Sequence, residues 1–286
     1  MNRFLIFTNQ SKDKDLEVTG MVCNYLRERG KEAIVASFKD PLPCSGSKSD
    51  NMYYITDMPD NVDCCIVLGG DGTVLQAAAN VKDRGIPILG INLGTLGYLA
   101  EIGRDKITDA LDKLLAGDYS VEERMMLSGK PLYGEERHFD ALNDIVITRK
   151  GIMQTISLNV YVNDKFLTTY SGDGVIISTP TGSTGYNMSA GGPIVEPGSS
   201  IILLTPICPH TLSNRSIVLS GSDKVMIELG SGKASSRQEA EASIDGRLGA
   251  SMETGDRLEI YRSRMSVQMI RMNRVSFLEI LNQKLN

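Results

Sequence analysis

Short apolar runs alternate with amphipathic stretches over about the first 120 residues, and this alternation constrains the fold more than any other feature of the chain. It is typical of βαβ units around a mainly parallel sheet. The predicted strands are residues 4–7, 33–36, 62–68 and 86–91. The predicted helices are residues 16–29, 74–83 and 105–115, with Gly30 and Gly117 as stop signals, and residues 41–50 are predicted to form a loop.

The pattern changes after about residue 125, where apolar and polar residues alternate as in half-solvated antiparallel strands. Residues 156–162 show this alternation, and Asn163-Asp164 is a candidate hairpin turn leading into residues 166–170. Further strands are predicted at residues 174–178, 201–204, 224–229, 242–244, 257–261 and 266–270, with a closing helix at 275–285. We therefore predict an α/β domain over residues 1–122 and a β-rich domain over residues 123–271.

The composition narrows the class of protein. Of the 286 residues, 41% are hydrophobic and 23% are charged, and no apolar run reaches the roughly 18 residues that a membrane-spanning helix needs. The apolar stretch at the N-terminus is too short for a signal peptide, so we expect a cytoplasmic protein without a membrane partner. The net charge of −5 argues against a nucleic-acid partner. Five cysteines without C-x-x-C spacing indicate neither a disulfide framework nor a zinc site, and we expect them to be reduced.

The loop Gly69-Gly70-Asp71-Gly72-Thr73 follows an apolar strand and precedes a helix-like segment. Such a loop can bind an anion, because glycines let a ligand approach the backbone and the first helical N–H groups are free. The structural alternative is a tight strand-to-helix connection with Thr73 as N-cap. Asp71 favours an active site, since a carboxylate beside phosphates requires a counter-ion such as Mg²⁺ or a hydroxyl proton to accept. The loop matches neither the P-loop nor the Rossmann pattern.

Three further segments are candidates for ligand binding. Residues 92–98 follow the next predicted parallel strand and should emerge at the same edge of the sheet, although a flexible connection is an alternative. Residues 173–193 crowd hydroxyls, glycines and Tyr186 together, which suits a nucleotide better than a purely structural loop. The pair Asn143-Asp144 could bind ribose hydroxyls, but taken alone it is better interpreted as a turn dipeptide.

Together with residues 206–212 and 244–247, these segments resemble the NAD kinase family and occur in the family's order. The glycine-aspartate loop is shared with lipid kinases and phosphofructokinases, whereas the Thr-Pro-Thr-Gly-Ser-Thr segment at residues 179–184 is far more specific. The resemblance implies an α/β N-terminal domain and a β-sandwich-like C-terminal domain that binds NAD. It also implies that the tail, residues 272–286, returns to the first domain.

The resemblance implies transfer of the terminal phosphoryl group of ATP, or of inorganic polyphosphate, to the 2′-hydroxyl of the adenosine ribose of NAD. A divalent cation, Mg²⁺ or Mn²⁺, is implied without identified protein ligands, as is a homodimer or homotetramer. Asp71 corresponds to the catalytic aspartate, and the phosphate loop comprises Gly69, Gly70, Gly72 and Thr73. The implied NAD-binding residues are Asp71, Gly72, Asn143, Asp144, Asp173, Thr184, Gly185, Tyr186, Asn187, Met188, Ser189 and Cys208.

Within that set, Asn143 and Asp144 would hold the adenosine, Asp173 would contact the nicotinamide carboxamide, and Tyr186 would stack on the ligand. Three positions depart from the family pattern: Asp144 replaces a glutamate, Ser171 stands where a basic residue is common, and Gly185 replaces an alanine. The two histidines, His138 and His210, have no partner at metal-ligand spacing, so we expect structural roles for both.

Two other functions compete with NAD phosphorylation. A lipid kinase of the diacylglycerol or sphingosine type would share the glycine-aspartate loop, but residues 179–186 favour a polar nucleotide and the sequence shows no apolar entry for a lipid tail. A non-catalytic NAD-sensing module would have no need for the Asp71 carboxylate. We therefore expect an enzyme.

Overall fold

The computed structural model describes residues 1–39, 54–94, 97–134, 136–151, 155–210, 215–232, 236–272 and 277–285. The predicted loop at residues 41–50 lies outside these ranges. The chain divides into two compact units, one formed by residues 1–124 with 266–286 and the other by residues 125–265. The predicted domain boundaries, at 122/123 and 271/272, are near these divisions.

The first half of the described chain contains β1 (Arg3–Thr8), α1 (Glu17–Glu28), β2 (Glu32–Val35), β3 (Phe38–Lys39), β4 (Tyr54–Ile55), β5 (Cys64–Gly69), α2 (Asp71–Val81), β6 (Ile88–Asn92), β7 (Ile102–Gly103), α3 (Ile107–Ala116), β8 (Ser120–Pro131), β9 (Phe139–Ala141) and β10 (Asp144–Arg149). The remainder contains β11 (Ile156–Val162), β12 (Lys165–Gly172), β13 (Gly174–Ser178), α4 (Tyr186–Ser189), β14 (Ile201–Ile207), β15 (Ile217–Ser220), β16 (Val225–Leu229), β17 (Glu239–Ile244), β18 (Arg247–Glu253), β19 (Arg257–Arg271) and α5 (Phe277–Leu285). Short 3₁₀ helices occupy Lys82–Arg84, Arg104–Lys106 and Thr181–Thr184.

The first unit is built on a parallel sheet. Strands β2, β1, β5 and β6 lie side by side in that order, with parallel neighbours throughout. Every residue of β5 is buried, as expected for a central strand covered on both faces. Helix α1 buries Val18, Val22 and Leu26 at helical spacing. The predicted α/β domain with a mainly parallel sheet is therefore confirmed.

The second unit is built from antiparallel strands. One sheet has the order β15-β14-β13-β10-β17-β18, and β12, β11, β16 and the first part of β19 form another row. Its apolar core combines Ile147 and Val175 from the first group with Leu158 and Ile227 from the second. This arrangement, with two groups of strands around one core, confirms the sandwich-like fold.

Several element boundaries differ from the sequence predictions. The two strands predicted at 257–261 and 266–270 form the single strand Arg257–Arg271, and the long strand Ser120–Pro131 was not predicted. The first half of strand Ser120–Pro131 is polar and its centre is an apolar run. This strand therefore lacks the alternation of apolar and polar residues that identifies a strand in sequence. The predicted Asn163-Asp164 turn is confirmed, with left-handed φ values of 50° and 63°.

The cysteines that the structure describes are separate thiols. Cys23, Cys64, Cys65 and Cys208 form no disulfide, and Cys44 lies outside the described ranges. Burial raises the pKa of the Cys65 thiol to about 12, and it also raises that of Cys64, so neither forms a thiolate near neutral pH. In the part of the chain that the structure describes, no helix is long and apolar enough to cross a membrane.

Candidate functional site

The glycine loop of the first unit turns sharply between β5 and α2. A β-carbon added to Gly69 would lie 2.2 Å from Thr73 Oγ1, so only glycine permits this approach. Helix α2 begins at Asp71, with the extended Gly70 as N-cap. The connection is as tight as the structural alternative expects, but Thr73 is not the N-cap, because its hydroxyl lies inside the first turn and accepts the Gly70 N–H at 3.2 Å.

The Asp71 carboxylate is held by the segment that follows β6. It accepts hydrogen bonds from the backbone N–H groups of Tyr98 at 2.8 Å, Leu99 at 3.0 Å and Ala100 at 3.2 Å. Gly97 makes this contact possible, because a β-carbon there would lie 1.8 Å from Asp71 Oδ1. The two loops predicted to share one edge of the sheet therefore do lie together, although Thr95 and Leu96 are outside the described ranges.

Lys12 places a cation over the same glycine loop and was not identified from the sequence. A β-carbon added to Gly70 would lie 2.9 Å from Lys12 Nζ, and one added to Gly94 would lie 3.4 Å from it. The lysine side chain is exposed. It follows β1, which is parallel to β5, so its loop emerges at the same edge as the two glycine loops. Because ligands bind at the carboxyl ends of parallel strands, Lys12 in the loop after β1 could have been identified from the sequence.

In the second unit, Asn143 and Asp144 stand at the start of β10. Asn143 Oδ1 is buried without a hydrogen-bond partner among the described residues, which marks it as a candidate ligand contact. Asp144 is buried, and this burial raises the pKa of its carboxyl group to about 7, with a further contribution from the nearby Asp245 carboxylate. The pair is therefore more than a solvent-exposed turn, contrary to the interpretation favoured for the dipeptide taken alone.

Asp173 lies between β12 and β13 and forms an ion pair with Arg149. Arg149 Nε lies 2.8 Å from Asp173 Oδ1, and Arg149 Nη1 donates to Gly151 O at 2.8 Å. Arg149, the last residue of β10, therefore places a positive charge beside Asp173, whereas position 171 carries a serine hydroxyl. Sequence inspection missed Arg149 because it is 24 residues from Asp173 along the chain.

Several polar side chains of the hydroxyl-rich segment, residues 173–193, form hydrogen bonds with other groups of the protein. Thr179 Oγ1 donates to Leu142 O at 2.6 Å, and Ser183 Oγ donates to Val195 O at 3.2 Å. The Asn187 amide is fully buried, donating to Ser183 O and Pro193 O and accepting from Thr205 Oγ1. These groups shape the segment, and the assignment of Asn187 to ligand binding stays a prediction.

Some of the predicted NAD-binding residues remain exposed or half-exposed to solvent. Tyr186 is 45% exposed, which leaves its ring available for stacking. Ser189 and Cys208 are exposed, whereas Asp173, Thr184, Gly185 and Met188 are half-buried. A β-carbon at Gly185 would lie 3.3 Å from Gly182 O, so the family's alanine would fit with little adjustment.

The contacts of the two histidines are few. His138 Nδ1 is 3.5 Å from the Tyr261 hydroxyl, and the backbone N–H of His210 donates to Ser171 O at 2.7 Å. Residues 211 and 212 of the 206–212 motif lie outside the described ranges.

Comparison with known proteins decides the family. A family model for the ATP-NAD kinase N-terminal domain matches residues 4–119, and one for the ATP-NAD kinase C-terminal domain matches residues 142–272. The NAD kinase of Agathobacter rectalis is 45% identical, over 100% of this chain and 99% of that protein. The NAD kinase of Lachnospira eligens is 41% identical, over 100% of both. This chain belongs to the NAD kinase family.

Two solved structures, one of an NADH kinase and one of an NAD kinase, agree with this assignment. Yeast NADH kinase complexed with NADH has a TM-score of 0.83 and 25% identity, with 100% of this chain and 87% of that chain covered. An NAD kinase from Archaeoglobus fulgidus in complex with ATP has a TM-score of 0.73 and 24% identity, with coverage of 96% and 95%. The second likeness shows the NAD kinase fold. The family resemblance inferred from the sequence is confirmed.

Proposed function

We propose that this protein is an NAD kinase, which transfers the terminal phosphoryl group of ATP to the 2′-hydroxyl of the adenosine ribose of NAD. The observation that carries the proposal is the Asp71 carboxylate, oriented by three backbone donors within a chain that matches both NAD kinase domains. The full-length identity to NAD kinases supports the same reaction.

In this proposal, Asp71 accepts the proton of the 2′-hydroxyl as its oxygen attacks the terminal phosphorus. The bond from that phosphorus to the bridging oxygen breaks, and ADP leaves with the bonding electrons. Asn143 and Asp144 hold the adenosine, and Tyr186 stacks on the ligand. Gly72, Asp173, Thr184, Gly185, Asn187, Met188, Ser189 and Cys208 complete the proposed NAD set.

A divalent cation would neutralise charge on the donor phosphates. Within the described ranges, no three His, Cys, Asp or Glu side chains are grouped so that they could hold a metal ion. This fits Mg²⁺ or Mn²⁺ carried by the phosphates of ATP with at most one or two protein carboxylates. Asp71 is the carboxylate in the phosphate loop that could contribute. Cytoplasmic location and assembly into a homodimer or homotetramer stay predictions.

The activity is tested with a donor and acceptor screen that follows NADP formation. ATP and inorganic polyphosphate are offered as donors, and NAD, NADH, diacylglycerol and sphingosine as acceptors. We expect NADP from ATP and NAD. Phosphorylated lipid without NADP would instead identify a lipid kinase, and binding of NAD without turnover would identify a sensing module.

Lys12 is proposed to contact the donor phosphates. Lys12→Met removes a cation that lies close to both glycine loops, so the KM for ATP should rise about tenfold, an effect in the range expected for a hydrogen bond to a charged group. The KM for NAD should change less than twofold. Steady-state kinetics with each substrate varied in turn makes the comparison, with Lys14→Met as the matched control; equal effects on both KM values would contradict the assignment.

Arg149 is proposed to hold Asp173 for the nicotinamide carboxamide. Arg149→Met leaves the half-buried carboxylate without its ion-pair partner, so the KM for NAD should rise by about three- to tenfold while the KM for ATP stays constant. Adding Ser171→Arg to this variant should recover part of the loss, because positions 171 and 173 are two residues apart and the sequence pattern of the family has its basic residue there. If Ser171→Arg restored no NAD affinity to the Arg149→Met variant, the effect of Arg149 would not come from its positive charge.

A further inference from the structure

The two-residue turn between β17 and β18 contains a carboxylate that its own geometry does not require. Asp245 and Gly246 have left-handed φ values of 49° and 77°, and they connect the paired residues Ile244 and Arg247. Asparagine or aspartate followed by glycine suits such a turn. Turn side chains are ordinarily exposed, yet the Asp245 side chain is only 2% exposed.

Burial makes this carboxylate costly, because the charged form loses its hydration. It raises the pKa of Asp245, against the opposing effect of the backbone hydrogen bonds and Arg247. A neutral asparagine would serve the turn without that cost. The charge therefore has a purpose beyond the hairpin.

That purpose is visible in the contacts of the side chain. Asp245 Oδ2 accepts the Leu142 N–H at 2.9 Å, and Oδ1 accepts the N–H groups of Asn143 at 2.7 Å and Asp144 at 3.2 Å. The Asp245 N–H in turn donates to Asp144 O at 3.0 Å. Three consecutive backbone donors, about 100 residues away in the chain, converge on one carboxylate.

The opposite side of the same peptide segment is fixed as well. Thr179 donates to Asn143 O through its N–H at 2.9 Å and to Leu142 O through its hydroxyl at 2.6 Å. A β-carbon on Gly182 would lie 2.2 Å from Asn143 O. The backbone of residues 142–144 is thus clamped by Asp245 on its donors and by Thr179 on its acceptors, while Asn143 Oδ1 is left without a partner in the described structure.

We propose that Asp245 is a positioning residue of the NAD site, which holds the backbone of residues 142–144 so that the side chains of Asn143 and Asp144 meet the ligand. This inference rests on the proposed function. Asp245 does not touch the ligand itself and acts through the two residues it orients.

The test measures the NAD dissociation constant by titration calorimetry for the full-length protein and for Asp245→Asn. Asparagine keeps the shape and suits the turn, but its NH₂ group must face at least one of the three backbone donors. NAD binding should weaken about tenfold or more, and the KM for ATP should change less than twofold. Asp164→Asn is the matched control, since Asp164 also has a left-handed φ in a two-residue hairpin but is exposed, and it should bind NAD as the wild type does.

The pH dependence of NAD binding separates positioning from simple loss of stability. The Asp144 carboxyl group interacts electrostatically with the Asp245 carboxylate and, more weakly, with the Tyr186 hydroxyl. Asp245 also interacts with the Arg247 guanidinium. Removing the Asp245 charge should lower the pKa of Asp144 from about 7, so the midpoint of the pH profile should move down in Asp245→Asn. Asp245→Glu retains the charge but moves the carboxylate by one methylene, so it should weaken NAD binding without lowering that midpoint.

An NAD affinity within twofold of wild type in both Asp245 variants would overturn the inference, as would weakened binding in Asp245→Asn with an unmoved midpoint. A wild type that binds NAD but makes no NADP, with weakened binding in both variants, would support the positioning role and disprove the kinase proposal. A wild type without NAD affinity would overturn both.

Discussion

Replacing Asp71 with asparagine is expected to lower kcat by about 10²–10⁴-fold, the range for a positioned general base. The amide cannot accept the 2′-hydroxyl proton, although one oxygen remains to accept part of the backbone hydrogen bonds made by Tyr98, Leu99 and Ala100. The dissociation constant for NAD should stay within about threefold of the wild-type value, because the adenosine is held by other residues in the proposed mechanism. Initial rates of NADP formation and calorimetric titration with NAD measure the two quantities.

Asp83→Asn is the matched control, because Asp83 is an exposed aspartate just beyond helix α2. It should leave kcat unchanged. If Asp71→Asn retained wild-type turnover, the base assignment would be wrong. If it lost NAD affinity in proportion to rate, Asp71 would be a binding residue instead.

Replacing Gly97 with alanine should lower kcat by about 10²-fold, although this residue carries no functional group. The added β-carbon would lie 1.8 Å from Asp71 Oδ1, so the carboxylate or the segment after β6 has to move. A displacement of about 1 Å at a reacting group is enough to cost that much rate. The kcat of Gly97→Ala and its NAD affinity, measured side by side, show whether the effect is confined to the chemical step.

Gly20→Ala provides the control for Gly97, because Gly20 lies in helix α1 and a β-carbon there would meet nothing within 4 Å. That variant should be as active as the wild type and slightly more stable, since alanine favours a helix. A Gly97→Ala enzyme with a kcat within twofold of wild type would show that the close packing of Asp71 is not needed for catalysis.

The sequence predicted the architecture well because burial leaves a periodic signal along the chain. Strands such as β5, which is buried throughout, read as continuous apolar runs, and β11 alternates. Helix α3 likewise follows its apolar spacing and ends at Ala116, where Gly117 is the C-cap with a left-handed φ of 77°. The family could also be identified from the sequence, because each of its motifs is a contiguous run of residues.

The parts of the site that sequence inspection missed are the contacts across the fold. The hydrogen bonds from the backbone of residues 98–100 to Asp71 join two loops that are nearly 30 residues apart in the chain. No local sequence pattern predicts these hydrogen bonds. Asn187 illustrates the opposite case, because this polar residue of a ligand motif is fully buried and its amide donates to Ser183 O and Pro193 O of its own segment. A motif identifies which residue types are present, whereas their hydrogen-bond partners depend on the folded chain.

The ion pair between Arg149 and Asp173 has a consequence for selectivity among relatives. In this chain the charge beside Asp173 comes from Arg149, and position 171, where a basic residue is common in the family pattern, is a serine. A small molecule built with an anionic group to pair with a basic side chain at that position would find only a serine hydroxyl in this protein. One that reaches Arg149 instead would have to compete with the Asp173 carboxylate, which already pairs with that guanidinium.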